Sequence, residues 1–147
     1  MSYNSKITYT EIVEFTFEEL DIQAEDIEVL MGFDPSGSPY PFPEWISEEL
    51  QKAPALSDIK AGFLIHSNIE VNDRDNSIMI DDQLFNPGKI VATQLKNVRS
   101  AALYVCTAGR GFSKFSEKQK GADEFIYYIR DVIGSATVGK ASQKLMD

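Results

Sequence analysis

The residues with the clearest capacity for ligand chemistry follow the apolar run Ala101–Thr107, where the sequence continues Ala108-Gly109-Arg110-Gly111. An open sheet binds its ligands at the carboxyl ends of its strands, because the loops there leave a crevice. A loop of small residues also lets a ligand approach the backbone closely. We therefore take four residues at this strand end as candidate ligand-binding residues: Thr107, Gly109, Arg110 and Gly111.

This loop does not match a dinucleotide-binding fingerprint. Such a fingerprint needs G-x-G-x-x-G opening directly into a helix, whereas Gly111 is followed by the polar stretch FSKFSEKQKG. The glycines also have a simpler interpretation, which is a tight turn with close packing. A fifth candidate ligand-binding residue is Asp123, which stands next to Glu124 at the start of the last predicted helix, near Tyr127 and Tyr128.

Residues for catalysis or metal binding are sparse. The chain has one histidine, His66, and one cysteine, Cys106, which excludes a histidine-pair metal site, a disulfide within the chain and a cysteine cluster. The G-x-S-x-G elbow and the DxDxDG calcium loop are both missing. We interpret His66 as a half-buried structural residue and Cys106 as an inert core residue. We assign no catalytic residue and no metal site, and we expect no catalysis by this chain alone.

Length and composition favour a single domain. The chain has 147 residues, of which 43% are hydrophobic, and this is enough to bury one core. No apolar run reaches the roughly 20 residues that cross a bilayer. The first residues, MSYNSKITYTE, do not resemble a signal peptide. We therefore expect a cytoplasmic protein with no membrane partner.

The net charge of −9 is unevenly distributed. Residues 1–50 carry twelve acidic side chains and one basic side chain, Lys6, whereas residues 51–147 carry thirteen basic and eleven acidic ones. Binding to nucleic acid needs a basic face that displaces counterions, so we expect no nucleic-acid partner. The acidic first third either steers a basic partner toward the protein or serves as a solvated surface.

Hydrophobic periodicity predicts an α+β fold, with a mixed or antiparallel sheet and helices packed on it. The predicted strands are Ile7–Phe17, Ile59–Ile65 with an extension at Ile69–Val71, Ser77–Ile80, Leu84-Phe85 and Ala101–Thr107. The predicted helices run from Asp21 to Met31, from Glu44 to Ala53, from Lys89 to Leu95 and from Ala122 to Lys144. The connecting segments are the turns Asn72–Asn76 and Asp81-Asp82 and the proline-rich connector Asp34–Pro43.

The same pattern predicts which faces are buried. The near-continuous apolar run Ala101–Thr107 is typical of a strand that is covered on both faces. In the helix that begins at Lys89, we expect Ile90, Val91 and Leu95 to face inward. The last helix has an apolar stripe that is expected to be buried, and its members are Phe125, Ile129, Val132, Ile133, Ala136 and Leu145.

The other side of the last helix is lined by small residues between Gly134 and Ser142. Glycine inside a helix costs about 0.8–1 kcal/mol relative to alanine. Two glycines here therefore indicate that another group packs closely against this face of the helix. The alternatives are a neighbouring helix, a strand or a cofactor, and packing against the sheet is the simplest of them. From the same face we also predict a homodimer.

Three segments, in this order and spacing, resemble the activation domain of vitamin B12-dependent methionine synthase: Asn86–Lys89 (NPGK), Val105–Gly109 (VCTAG) and Asp131–Ala136 (DVIGSA). The resemblance extends from about Asp21 to Leu145 and implies that residues 1–147 form one α+β domain of the activation-domain type. The Arg-x-x-x-Gly-Tyr stretch, which is that family's signature for S-adenosylmethionine, is expected downstream of Leu145 and does not occur here, so the resemblance covers the family's front half. Gly139 stands near the position where relatives carry a glutamate.

The resemblance implies an accessory function in cobalamin-dependent methionine synthesis. Members of this family bind S-adenosylmethionine and support reductive methylation of cob(II)alamin on a partner. The implied partner is a cobalamin-dependent methyltransferase or its corrinoid domain, and the cobalamin is held by that partner alone. The alternative is a non-catalytic protein–protein interaction module that kept the fold and lost ligand binding. Retained ligand binding would favour the first hypothesis, and self-association without a ligand would favour the second.

Overall fold

The order of elements along the chain is the predicted one: a strand, two helices, several strands, a helix, a strand and a last helix. The computed structural model describes residues 7–113 and 124–147, and it is a mixed α+β structure. The strands are β1 (Ile7–Phe15), β2 (Ile59–His66), β3 (Ile69–Asn72), β4 (Ser77–Ile80), β5 (Gln83–Phe85) and β6 (Ala101–Thr107). The helices are α1 (Ala24–Leu30), α2 (Phe42–Leu56), α3 (Lys89–Gln94) and α4 (Glu124–Met146).

Within residues 7–113 and 124–147, the strands form two three-stranded sheets, with the strand orders β1-β2-β6 and β3-β4-β5. The second sheet is an antiparallel meander, in which Val71 lies opposite Ile78 and Ile78 lies opposite Phe85. Its first turn has the predicted chemistry, because the Asn72 side chain accepts a hydrogen bond from the amide of Arg74 at 3.0 Å. The predicted extension of β2 is instead a separate strand, β3.

By their internal contacts the residues group into two compact units. We call Val13–Ala61 with Val105–Asp147 the helical region, and Met1–Ile12 with Gly62–Tyr104 the sheet region. The prediction of a single domain over residues 1–147 stays a prediction.

The helical region has the larger apolar core. Its α4 packs against α1 and α2, and the most deeply buried side chains come from these three helices. The fully buried apolar side chains include Ile27, Ile46, Ile129 and Ile133. Ile129 and Ile133 lie four residues apart on one face of α4, and Ile27 and Ile46 are the buried isoleucines of α1 and α2. The helices are therefore held together mainly by burial of apolar surface.

A buried ion pair also joins α2 to α4. The Arg130 Nε donates to the Glu49 Oε2 at 2.7 Å, with both side chains almost fully buried. Lys52 donates to the other oxygen of Glu49 at 2.9 Å. Burial alone would raise the pKa of Glu49, but the hydrogen bonds and the positive charges of Arg130 and Lys52 outweigh burial and hold that pKa below its ordinary value.

The proline-rich connector is tied to α1 by the buried carboxylate of Glu28. This carboxylate accepts hydrogen bonds from the amide of Ser36 and the hydroxyl of Ser38. The helix itself begins with a capping box, in which Gln23 and Asp26 satisfy each other's backbone amides. The connector is therefore ordered by specific hydrogen bonds as well as by its prolines.

The sheet region has a small core that consists of Ile69, Ile78 and Ile80, with partly buried apolar residues around it. Leu95 packs against this core as predicted, but the prediction for the rest of α3 is wrong. Ile90 is 77% exposed and Val91 is 41% exposed, and the fully buried residue of this helix is Ala92. A helix of six residues buries one narrow face, and in α3 the small alanine occupies that face.

Two further burial predictions are wrong. In β6, Tyr104 is 49% exposed and Val105 is 72% exposed, so this strand is not covered on both faces, and its apolar run reflects β propensity. In α4, Phe125 is 56% exposed. Its ring instead stacks on Trp45, with 6.2 Å between the ring centroids. Apart from Phe125, the predicted stripe of α4 is buried or half-buried.

Within the part of the chain that the structure describes, no helix is both long and apolar enough to cross a bilayer.

Candidate functional site

A cleft of ≈ 470 Å³ opens in the helical region where β6 ends. One wall is the chain that follows β6, and the other wall is one face of α4. We call it the β6–α4 cleft. The residues that line it are Cys106, Thr107, Ala108, Gly109, Phe112, Ser113, Asp131, Gly134, Ser135 and Val138.

The first wall is held by a tight turn after Thr107. The Thr107 hydroxyl accepts a hydrogen bond from the amide of Gly109 at 3.0 Å. Gly109 has a φ of +85°, and a Cβ at this position would lie 2.7 Å from the Cβ of Asp58. The carbonyl of Ala108 accepts a hydrogen bond from the amide of Asp58 at 2.9 Å. Only glycine fits this conformation and this close approach.

The two remaining loop candidates do not line the cleft. A Cβ on Gly111 would lie 1.9 Å from the carbonyl oxygen of Leu56, so this glycine allows the chain to pack on the end of α2. Arg110 is exposed, and its carbonyl accepts hydrogen bonds from the amide and the hydroxyl of Ser113. Both observations agree with the simpler interpretation of this loop as a tight turn with close packing.

The second wall is a face of α4 on which Asp131, Gly134, Ser135 and Val138 follow helical spacing. Gly134 lets this face approach the opposite wall, because a Cβ there would lie 3.3 Å from the Cβ of Phe112. Asp131 and Ser135 are exposed beside it. The helix thus presents a carboxylate and a hydroxyl to the cleft.

The structure therefore brings together two of the five predicted site residues, Thr107 and Gly109. A third, Asp123, lies outside the described residues. Sequence reasoning missed Asp131 and Ser135 as site residues, although both fall in the segment that carries the resemblance. The sequence feature that could have identified them is a helix face with polar and small residues. Such a face has the same pattern as an ordinary solvent-exposed face.

Asp131 is the one charged side chain among the described residues that line the cleft. A carboxylate beside an apolar floor favours a ligand with a positive charge, and the hydroxyls of Thr107 and Ser135 can hydrogen-bond to its polar groups. The cleft volume falls within the range of about 300–1,000 Å³ that is usual for small-molecule sites. The arrangement is suited to binding and orienting a small molecule that carries a positive charge.

Cys106 corrects another prediction. It is half-buried and lines the cleft, so it is not a sequestered core residue. His66, in contrast, is more buried than predicted, at 3% exposure. Its Nδ1 accepts a hydrogen bond from the amide of Asn68 at 3.3 Å, and its Nε2 lies 3.7 Å from the Asp81 carboxylate. This histidine belongs to the sheet region and has a structural role there.

A second concavity of ≈ 450 Å³ lies between α1 and α4, and we call it the α1–α4 groove. Its lining includes Val29 and Leu30 from α1, with Ser135 and Gly139 from α4. Gly134 contacts Phe112, but a Cβ on Gly139 would meet no atom within 4 Å. The small residues of α4 therefore line two different concave surfaces, and Ser135 lines both of them.

Among residues 7–113 and 124–147, no group of three or more histidine, cysteine, aspartate or glutamate side chains is arranged to hold a metal ion. The resemblance to the activation domain is carried by the residues of this sequence alone. No family model matches the chain, and no curated protein matches it significantly.

Proposed function

We propose that this chain is an accessory protein of cobalamin-dependent methyl transfer that binds S-adenosylmethionine in the β6–α4 cleft. One observation supports this proposal above the others. Two of the three segments on which the resemblance rests, Val105–Gly109 and Asp131–Ala136, supply the two walls of one cleft. They are more than twenty residues apart in the sequence, so their meeting at a concave surface does not follow from sequence order.

The residues present fit the chemistry of this ligand. S-adenosylmethionine carries a positive sulfonium and an α-amino group, and the Asp131 carboxylate is placed to attract either one. The half-buried Val138 and the buried Phe112 provide apolar surface for a flat base. The hydroxyls of Thr107 and Ser135 supply further hydrogen-bonding groups.

When bound, S-adenosylmethionine would supply an electrophilic methyl group. This chain's own residues would hold and orient the donor, because the described residues that line the cleft include no acid–base pair to act on it. The cobalamin would be bound by a partner, a cobalamin-dependent methyltransferase or its corrinoid domain. The chain's histidine is buried in the sheet region and is not accessible to a corrinoid cobalt. We place this function in the cytoplasm.

Isothermal titration of S-adenosylmethionine into the purified chain tests the proposal. We expect saturable binding with a micromolar Kd, which corresponds to about −8 kcal/mol. Asp131→Asn should weaken this binding by about tenfold, since it removes the charge and keeps the shape. S-adenosylhomocysteine lacks the sulfonium charge but keeps the α-amino group, so it should bind the wild-type chain more weakly. In the Asp131→Asn variant, a smaller loss for S-adenosylhomocysteine than for S-adenosylmethionine would assign the carboxylate to the sulfonium, and an equal loss would assign it to the α-amino group.

The matched control is Glu48→Gln, which removes one exposed carboxylate from α2 outside the cleft. It changes the net charge by the same amount and should leave binding unchanged. No heat from the wild-type chain at millimolar ligand would overturn the proposal. Equal weakening by both substitutions would show that net charge, and not the cleft, attracts the ligand.

The second candidate function is a non-catalytic interaction module with the same fold. The observation that favours it is the exposure of Val29 at 52% and Leu30 at 54% on the rim of the α1–α4 groove. Apolar side chains that are grouped at a concave surface are typical of a binding site for a protein. Absence of ligand binding together with capture of a protein at this groove would establish this second function.

A further inference from the structure

We propose that the α1–α4 groove is a docking site for an amphipathic helix with a basic polar face, contributed by a partner protein. This inference concerns a second surface, which shares Ser135 with the β6–α4 cleft. It deepens the interaction-module function and does not rest on the function proposed for the cleft. The arguments are the apolar lining of the groove, the open space at Gly139 and the sign of the charge around the groove.

The groove offers an apolar surface and a stretch of backbone that a helix can approach closely. Val29, Leu30 and Pro35 give it an apolar rim on one side. On the other side, Ser135 and Gly139 are four residues apart on α4, so they lie one above the other on the same face. Because a Cβ on Gly139 would meet no atom within 4 Å, a second helix can approach the backbone of α4 closely there.

The charge around the groove is negative. Glu25 and Asp26 line it from α1, and Lys140 lies 3.9 Å from the Asp26 carboxylate and offsets one of these charges. No lysine or arginine occurs between Lys6 and Lys52, so α1 and the connector that follows it contribute no positive charge of their own. Basic side chains that flank an apolar helix face would complement this rim and increase the association rate.

The same charge argues against a second copy of this chain as the occupant. Each copy carries a net charge of −9, and a symmetric dimer would bring the two acidic α1 rims toward one interface. Like charges in such an arrangement repel each other. The homodimer predicted from the small-residue face is therefore the less favoured occupant of this groove.

The test uses a fluorescently labelled Leu/Lys peptide of about 18 residues, or about 27 Å of helix, with leucines on one face. We expect micromolar binding by fluorescence anisotropy, and weaker binding at high salt because exposed charges are screened. A peptide of the same pattern with glutamate in place of lysine should not bind.

Leu30→Asp separates docking from simple charge attraction. It adds a negative charge, so a purely electrostatic interaction would become tighter, whereas docking in the groove should become weaker by about tenfold. Ile90→Asp adds the same charge at an exposed position of α3 and should not weaken binding. Gly139→Gln fills the groove without changing the charge and should weaken binding as Leu30→Asp does, which provides a second variant if Leu30→Asp does not fold.

Three results would overturn the inference. The first is no binding of the Leu/Lys peptide to the wild-type chain. The second is wild-type affinity in both Leu30→Asp and Gly139→Gln, which would assign the binding to charge alone. The third is a wild-type dimer by sedimentation that becomes monomeric in these two variants, which would make a second copy the occupant. Each result can be obtained whether or not S-adenosylmethionine binds.

Discussion

The helical region and the sheet region are stabilised in different ways. The helical region contains fully buried isoleucines from three helices, and it also contains an ion pair with side-chain exposures of 6% and 1%. In the sheet region, three isoleucines form the buried core, and the ion pair Lys96–Asp73 is more than half exposed on both sides. Removing one partner of an ion pair should therefore cost much more stability in the helical region than in the sheet region. Water can solvate the remaining charge where it is exposed, but not where it is buried.

The largest expected effect comes from breaking the buried pair. Arg130→Ala should destabilise the protein by about 3–5 kcal/mol, because Glu49 would be left buried with one exposed lysine as its partner. The measurement is urea unfolding followed by circular dichroism.

Two further variants sharpen this comparison. Glu49→Leu combined with Arg130→Met should recover most of the lost stability, since no charge is then left unpaired. Lys96→Ala, which breaks the exposed pair of the sheet region, should cost less than about 1 kcal/mol. Equal losses from Arg130→Ala and Lys96→Ala would contradict the distinction between the two regions.

The next effect compares the two apolar cores. Ile133→Ala should cost about 4 kcal/mol, because a fully buried site surrounded by packed helices cannot collapse around the cavity. Ile80→Ala should cost about 2 kcal/mol, since this isoleucine keeps 9% exposure in a small core. Amide hydrogen exchange should show slower exchange in α2 and α4 than in β3 and β4. Faster exchange in the helices would show that the small sheet is the more stable element.

A smaller effect concerns the dependence of stability on pH. The folded-state pKa of Glu49 is below its ordinary value of 4.5, so its contribution to stability is complete above that value and is lost as the pH falls through the folded-state pKa. The free energy of unfolding, measured in urea from pH 7 to pH 3, should therefore decrease at acid pH. The Glu49→Leu/Arg130→Met variant should show a shallower decrease. An unchanged slope would assign the acid sensitivity to other carboxylates, such as Glu19, whose pKa is lowered mainly by the hydrogen bond from the Thr16 amide.

The smallest effect distinguishes the two surfaces on α4. Gly139→Ala should stabilise the isolated chain by up to about 0.8–1 kcal/mol, because alanine favours the helix and the new methyl group meets open space. Gly134→Ala should stabilise it less, since its Cβ would press on Phe112 at 3.3 Å. Thermal unfolding of both variants measures the difference. A larger gain at Gly134 would contradict the close approach described for the β6–α4 cleft.

Local sequence signals predicted the elements well. The limits of β6 and β4 agree with the prediction, and the turn at Asn72 forms through the expected side-chain hydrogen bond. These features depend on residues that are close in the sequence, where propensity and turn chemistry act directly. The coarse α+β class follows from the order of such elements.

Long-range pairing could not be predicted in the same way. Glu49 and Arg130 are separated by 81 residues, and each one looks like an ordinary surface residue of an amphipathic helix. Glu28 gives no local sign that it bonds to the proline-rich connector eight and ten residues later. For the site, the sequence located the turn at Thr107 and Gly109, but the wall formed by Asp131 and Ser135 depends on how α4 packs, which no single segment encodes.

Cys106 has a practical consequence. It is the one cysteine of the chain, it is half-buried, and it lies in the wall of the β6–α4 cleft. A thiol-specific fluorophore would therefore attach at a single position without any engineering, and protection of this thiol from the reagent would report when the cleft is filled. The native sequence already contains a label site from which occupancy of the cleft can be followed in solution.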